Sequence, residues 1–212
     1  MSEIHRIKCG NANCYIVVNG TDGILVDVGK REYADKVIRA CEPYRIRLIV
    51  LTHAHFDHAE NAARMADALG APIAMSGEDC ELIGSNEAQA LSAKTVAGKI
   101  VLAASLKEFR RRRVPEFKPD VLLHDGDSLA DHGINARIVA LPGHTRGSIG
   151  VDVDGKYLIV GDALMNMFYP TVSMLYHDRE EMLKSAEKIS GMGERIIYFG
   201  HGGPVANRQW VK

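Results

Sequence analysis

Hydrophobic positions along this chain come in short runs broken by glycine, proline and charged residues. IHRIKC, NCYIVV and GILVDV read as three strands near the start. NGTDG (19–23) supplies the turn chemistry between the second and third. Residues 31–43 suit a helix that ends near Pro43, and RLIVLT (47–52) is a continuous apolar run expected to be a buried strand. AENAARMADALG (59–70) has helical spacing, with Gly70 placed as its C-cap, and APIAMS is one more short strand. Residues 77–118 are mostly helix formers, and no strand signal returns until VLLH (121–124). The second half is again rich in strand-like runs: SLAD, INARIVAL, SIGVDV, KYLIVG and RIIYFG. A helix over 178–190 interrupts them, opened by the capping-box pattern Asp178-Arg179-Glu180-Glu181. Strands mixed with helices in both halves predict an α/β layered sandwich.

Composition narrows the picture only modestly. The chain has 212 residues, 46% apolar and 25% charged, with a formal net charge of −1. A near-neutral balance gives no reason to expect a nucleic acid or a membrane as partner. One domain spanning 1–212 is expected from the length, with no repeat or linker. Four cysteines (Cys9, Cys14, Cys41, Cys80) without CxxC spacing read as reduced thiols. MSEIHRIKCG lacks the apolar stretch of a secretion signal, so a cytoplasmic location is expected. No apolar run reaches the ~20 residues a membrane span needs.

The polar residues at the ends of the apolar runs are the informative ones. ILVDVG carries Asp27, RLIVLTH ends at His53, RIVALPGH at His144, YLIVGD at Asp162 and RIIYFGH at His201. Ligand sites of open α/β folds gather at the carboxyl ends of strands. LTHAHFDHAEN adds His55, Asp57 and His58 beside His53. Imidazole and carboxylate are the ligands that zinc, iron and manganese accept. An extended segment points His53 and His55 to one side, and His144 would complete three nitrogens around one ion. Asp57 and His58, where the chain turns into a helix, would join His201 around a second. Asp162, with two oxygens, suits a bridge between ions ~3.5–4 Å apart. Asp27 is expected to orient a ligand rather than to be one. Glycines beside these residues, Gly143, Gly161 and Gly200 among them, allow close backbone approach.

HAHFDH, PGHTRGS, VGDAL and GHGGPV, with LVDVG upstream, resemble the five motifs of the metallo-β-lactamase fold superfamily, in family order and over nearly the whole chain. The resemblance implies a four-layer αββα sandwich with a metal site along one edge of its two sheets, and it assigns the same seven ligands. The likeness is greatest to the hydroxyacylglutathione hydrolase, or glyoxalase II-like, branch. That branch often has glycine shortly after the Asp-His pair, where this chain has Ala59-Glu60-Asn61. Full-length glyoxalase II enzymes add a C-terminal glutathione-holding helical domain; here eleven residues follow His201, so that domain is expected to be missing. Lactonases of the fold place tyrosine where this chain has Met165.

The expected function is that of a binuclear metal-dependent hydrolase holding two divalent ions, zinc before iron or manganese. A hydroxide shared by the ions would attack the carbonyl of a thioester, small ester or lactone, with Asp57 or Asp162 passing the proton. The rival readings are a persulfide dioxygenase-like oxidoreductase using a single iron, and a phosphodiesterase of the same fold. The expected partner is a small-molecule substrate, with a homodimer as the assembly to test. Residues 77–118 are expected to form a helical lid over the site, and that lid, with Met165-Asn166-Met167-Phe168-Tyr169, to hold substrate specificity. Leu102, Leu106 and Phe109 give the lid an apolar stripe, while Arg110-Arg111-Arg112-Arg113 would point in four directions around a helix. His177 is a candidate to reach the pocket.

Overall fold

The computed structural model describes residues 1–211. Strands β1 (Glu3–Cys9), β2 (Ala12–Asn19) and β3 (Asp22–Val26) form an antiparallel meander. Beyond β3, strands β4 (Arg45–Val50), β5 (Ile73–Met75) and β6 (Val121–Leu122) add in parallel, giving a six-stranded sheet ordered β1-β2-β3-β4-β5-β6. The crossovers hold helices α1 (Ala34–Cys41), α2 (Phe56–Ala59), α3 (Ala62–Leu69) and α4 (Val96–Phe109). A second sheet contains β7 (Ala136–Ala140), β8 (Ile149–Val153) and β9 (Tyr157–Ile159). A two-stranded ribbon, β10 (Leu164–Met165) with β11 (Thr171–Val172), follows, then helix α5 (Arg179–Gly191). Strands β12 (Ile196–Tyr198) and β13 (Val205–Ala206) complete the second sheet in the order β13-β12-β9-β8-β7.

The alternation of side chains along a strand assigns the layers. On β2, Tyr15 and Val17 face one way, and with Ile24, Val26, Leu48 and Val50 they meet Ile138, Ile149, Val151 and Ile159 of the second sheet. Cys14, Ile16 and Val18 face the other way, onto α1 and α3 through Val37, Cys41, Ala62 and Met65. The outer face of the second sheet, with Val139, Leu158, Val160 and Ile197, is covered by Ala186 and Ile189 of α5. Helix, sheet, sheet and helix therefore lie in the αββα order expected from the sequence.

Several elements differ from the expectation. SLAD is no strand: only Ser128 pairs, as a single bridge to Arg137, and Ala130–His132 is a 3-10 turn. The helix expected over 59–70 is two pieces, although Gly70 does cap it in the left-handed conformation at φ 61°. Within 77–118 one α-helix forms, α4, beside a 3-10 turn at Gly77–Leu82; the rest is irregular. Asp178 caps α5 by accepting from the Glu180 and Glu181 amides, but its own N–H goes to Gly143 O, so the reciprocal half of the capping box is replaced by a tertiary bond. That bond ties the start of α5 to the loop carrying His144.

Candidate metal centre

The candidate residues sit at the ends of strands from both sheets. Beyond β4, Thr52 N–H donates to Asp27 and Thr52 O accepts from Ile149 of the second sheet, which fixes the start of the His53–His58 segment. His55 holds the N-cap position of α2 with its side chain free of any capping bond, and Asp57 and His58 lie in the single turn. His144 follows β7, Asp162 follows β9 and His201 follows β12. The His201 loop is held by Asn13, whose side chain donates to Phe199 O at 2.9 Å and Gly202 O at 2.8 Å, and by Asn166 N–H donating to His201 O at 2.9 Å.

All seven residues converge. Ligand atoms of His53, His55 and His144 lie within 4.8 Å of one another, as do those of Asp57, His58 and His201. His53, His58 and Asp162 form a third such group between them. His55 Nδ1 is 3.0 Å from His144 Nε2, and the rings of His53 and His55 stand at 90° with centroids 4.9 Å apart. Asp162 touches both groups: Oδ2 is 3.2 Å from His201 Nε2 and 3.6 Å from His144 Nε2, and Oδ1 is 3.5 Å from His58 Nε2. His201 Nε2 is also 3.5 Å from Asp57 Oδ2.

Partners behind the rings decide which nitrogen faces inward. His144 Nδ1 donates to Leu175 O at 2.9 Å, His201 Nδ1 to Asn11 O at 2.8 Å and His58 Nδ1 to Asp27 Oδ2 at 2.8 Å. Each such bond turns Nε2, the nitrogen a metal would take, into the cluster. Asp27 itself has φ 59°, uncommon for a residue with a side chain; its carboxylate gathers Thr52 N–H and hydroxyl as well as His58. His53 Nε2, His58 Nε2 and Asp162 Oδ1 are buried with no hydrogen-bond partner, as is His55 Nε2. Leaving a polar atom buried and unpaired costs ~1–3 kcal/mol. Converging buried ligand atoms without partners fit divalent cation binding, so the residues present suit a metal centre.

Charge divides the cluster. Burial drives His53 well below its ordinary range, aided by His58, His144 and His55. Burial and His144 push His55 down to about 3. Burial opposes charge on His58 too, but Asp27, Asp162 and Asp57 outweigh it and hold the imidazole up to about 10. His201 is raised, against burial, by Asp162 and Asp57. Asp162 stays well below the carboxylate range despite burial, because His201 and His58 surround it. Asp57 is likewise lowered, against burial, by His58 and His201. Burial thus keeps His53 and His55 neutral, while carboxylates gather around His58 and His201.

A cavity of about 290 Å³ opens onto this cluster, reached by His55, Asp57, His144, Asp162 and His201. Phe56, Ile100, Phe109, Met165 and Met167 supply much of its apolar wall, and Asn11 and Lys30 also border it. The segments singled out for specificity, α4 and the loop after Asp162, do border it, while Phe168 and Tyr169 are exposed at 66% and 59%. His177 does not line the cavity; it meets Ala90 O and Arg146 instead. The four arginines do not radiate from a helix as expected, because α4 ends at Phe109; Arg111, Arg112 and Arg113 border one surface pocket with Glu32, Glu60 and Glu108, and Arg112 pairs with all three carboxylates.

Sequence reasoning missed Asp79. It is fully buried and accepts from Thr145 Oγ1 at 2.8 Å, Gly147 N at 2.7 Å, Gln89 Nε2 at 3.2 Å and Ala54 N at 3.3 Å. One carboxylate therefore links the loop of His53 and His55 to the loop of His144. Burial raises its pKa, and the Thr145 and Gly147 hydrogen bonds oppose the rise. Nothing in GEDCELI marks that role, because its partners are distant in sequence.

The chain belongs to the metallo-beta-lactamase superfamily, whose family model matches residues 7–201. It is 26% identical over 207 residues to a hydroxyacylglutathione hydrolase of Haemophilus influenzae, covering 94% of this chain and 90% of that one. An uncharacterized protein of Mycobacterium leprae is 26% identical over 198 residues, covering 90% and 86%. Among solved structures, the B3 metallo-beta-lactamase BLEG-1 superposes with a TM-score of 0.76 at 24% identity, covering 96% of this chain and 94% of that one.

Proposed function

We propose that this protein is a binuclear metal-dependent hydrolase acting on a thioester or a related small ester or lactone. The observation that carries the reading is the position of Asp162, within 3.6 Å of His144 and 3.2 Å of His201, between two separate groups of ligand atoms. His53, His55 and His144 would hold one divalent ion, Asp57, His58 and His201 the other, and Asp162 both. Bound ions of this kind supply a water whose pKa falls from 15.7 toward ~7 and a Lewis acid for the carbonyl oxygen.

The chain's own groups account for the remaining requirements. Asp57 reaches the cavity and is kept ionised by His58 and His201, so it can accept the proton released when water adds to the carbonyl. Asp27, Leu175 O and Asn11 O fix the ring orientations, so little reorganisation is needed during reaction. Phe109 lies 4.9 Å from the His55 ring and, with Ile100 and Met167, keeps bulk water from that side. Among the described residues, no tyrosine and no histidine outside the cluster lines the cavity to protonate an amine leaving group, and the one lysine there, Lys30, is turned to Asn11 Oδ1. A thiolate, with a parent pKa near ~8.5, leaves without such help. The likeness to a hydroxyacylglutathione hydrolase supports a thioester in the same direction.

The test is elemental analysis of the purified protein followed by thioester, lactone, β-lactam and phosphodiester probes. About two metals per chain and preferred turnover of a thioester or lactone are expected. Asp162→Ala should retain at most about one metal and lose most activity. One iron per chain with oxygen uptake on a persulfide would instead establish an oxidoreductase, and preferred turnover of bis-p-nitrophenyl phosphate a phosphodiesterase.

A further inference from the structure

The cavity has a direction. The α4 side, where Phe109 lies against His55, is largely apolar; its one carboxylate, Glu108, is held by Arg112 at 3.4 Å. Asn11 and Lys30 border the cavity next to His201, since Asn11 O accepts from His201 Nδ1 at 2.8 Å. Lys30 is the one lysine or arginine bordering the cavity among the described residues. Its Nζ donates to the neutral Asn11 Oδ1 at 2.7 Å and sits 5.7 Å from the centre of the Phe56 ring.

Two further facts make Lys30 a recognition group rather than a loose surface lysine. First, its backbone is pinned. Asn61 Nδ2 donates to Lys30 O at 2.7 Å and to the carbonyls of Val28 and Gly29 at 3.1 Å, and Glu60 Oε2 accepts the next amide, Arg31 N, at 2.9 Å. Second, its charge is unanswered. The nearby carboxylates are taken by Arg112, which holds Glu32 bidentately at 2.8 and 3.0 Å, Glu60 at 2.9 Å and Glu108 at 3.4 Å. Among the described residues no carboxylate lies within 4.0 Å of Lys30 Nζ. An ammonium has three donors and only one is used here.

The geometry points to Lys30, held by Asn11, as the specificity-determining residue for a substrate that carries a carboxylate. The anionic end lies on the His201 side of the cluster, and the apolar part of the substrate lies under α4. This deepens the hydrolase reading and rests on it.

The experiment compares acids with their neutral methyl esters. One pair is the S-phenyl monothioester of glutaric acid, with the carboxylate on the acyl side. The other is the pentanoyl thioester of 3-mercaptopropionate, with the carboxylate on the thiol side. Wild-type protein with its native metals should prefer at least one acid over its methyl ester by about tenfold or more in kcat/KM. In Lys30→Met that preference should collapse toward one, chiefly through KM; Lys30→Arg should keep most of it, and Lys30→Glu should invert it. Equal treatment of acid and ester by the wild type, or an equal loss on both in Lys30→Met, would overturn the assignment. A binding measurement separates this from the hydrolase reading. By calorimetry, glutarate should bind wild type about tenfold or more tighter than butyrate, and Lys30→Met should remove the difference. If no thioester is hydrolysed, the hydrolase reading falls while calorimetry still decides Lys30. If glutarate shows no advantage, Lys30 falls whatever the turnover.

Discussion

At the scale of single residues, the site depends on the small as much as on the charged. Gly200 precedes His201, and a Cβ there would fall on the Asp162 carboxylate and against His58 Cε1. Neither neighbour can give way, because Asp162 is held among three imidazoles and His58 is tied to Asp27. Gly200→Ala should therefore cost about 1–3 kcal/mol of stability through overpacking. It should also lower metal content and turnover together, read by denaturant unfolding alongside elemental analysis. A variant that unfolded like wild type and kept its full metal complement would show that the loop has more slack than its packing indicates. The ligand candidates were legible from the sequence because each follows an apolar run. The residues that orient them were not. Thr52, Asn11 and Asp79 carry no motif, and their roles come from partners 25, 190 and 66 positions away.

At the scale of elements, α4 stands apart from the other helices. Thr95 caps it, accepting from Gly98 N at 3.0 Å, yet only Gly98 and Phe109 of its residues are buried, and Val96 and Ile100 are exposed at 78% and 68%. Its C-terminal half meets the core through Leu106 and Phe109, and Arg112 just beyond ties it to Glu60 after α2. A helix with so little buried surface opens at low free energy. Hydrogen exchange should thus be faster over 96–105 than in α3 or α5, and Arg112→Met should speed exchange through residue 113 while leaving β2 and β3 protected. Uniform protection across all three helices would contradict the picture of a loosely seated cover. Sequence pattern marked this stretch as helical and lid-like, but not how little of it is helix. Helix-forming residues fold as helix only where something packs against them. The short ribbon β10–β11 was likewise hidden, since two-residue strands give no periodic signal.

At the scale of the whole molecule, metal and proton compete for one cluster. For the metal-stripped chain the signs differ between the two sides. His58 is held up to about 10, so its contribution to stability is full below its ordinary value of ~6.5 and is lost as pH rises toward 10. His55 is pushed to about 3, so its contribution is full above ~6.5 and is lost as pH falls toward 3. Chelator-treated protein should accordingly be most stable near neutral pH and weaken on both flanks. Metal-loaded protein, whose His58 would hold an ion in place of a proton, should not show the alkaline loss. Thermal melts across pH 4–10 with and without chelator check this; identical curves would mean that the cluster is not linked to folding.

The sequence by itself determined the layered α/β class and the candidate ligand residues. Period-two alternation puts Tyr15 and Val17 against the second sheet and Cys14 and Ile16 against the helices, and a polar residue at the end of an apolar run lies at a sheet rim wherever the chain goes next. Both are local facts, carried by neighbours in the chain. Only the tertiary structure decided which nitrogen of each histidine faces inward, that Asp79 joins two loops, and that Lys30 is left with an unpaired charge beside an apolar cavity. Those outcomes depend on groups brought together across the two sheets, and spacing along the chain does not encode such distances.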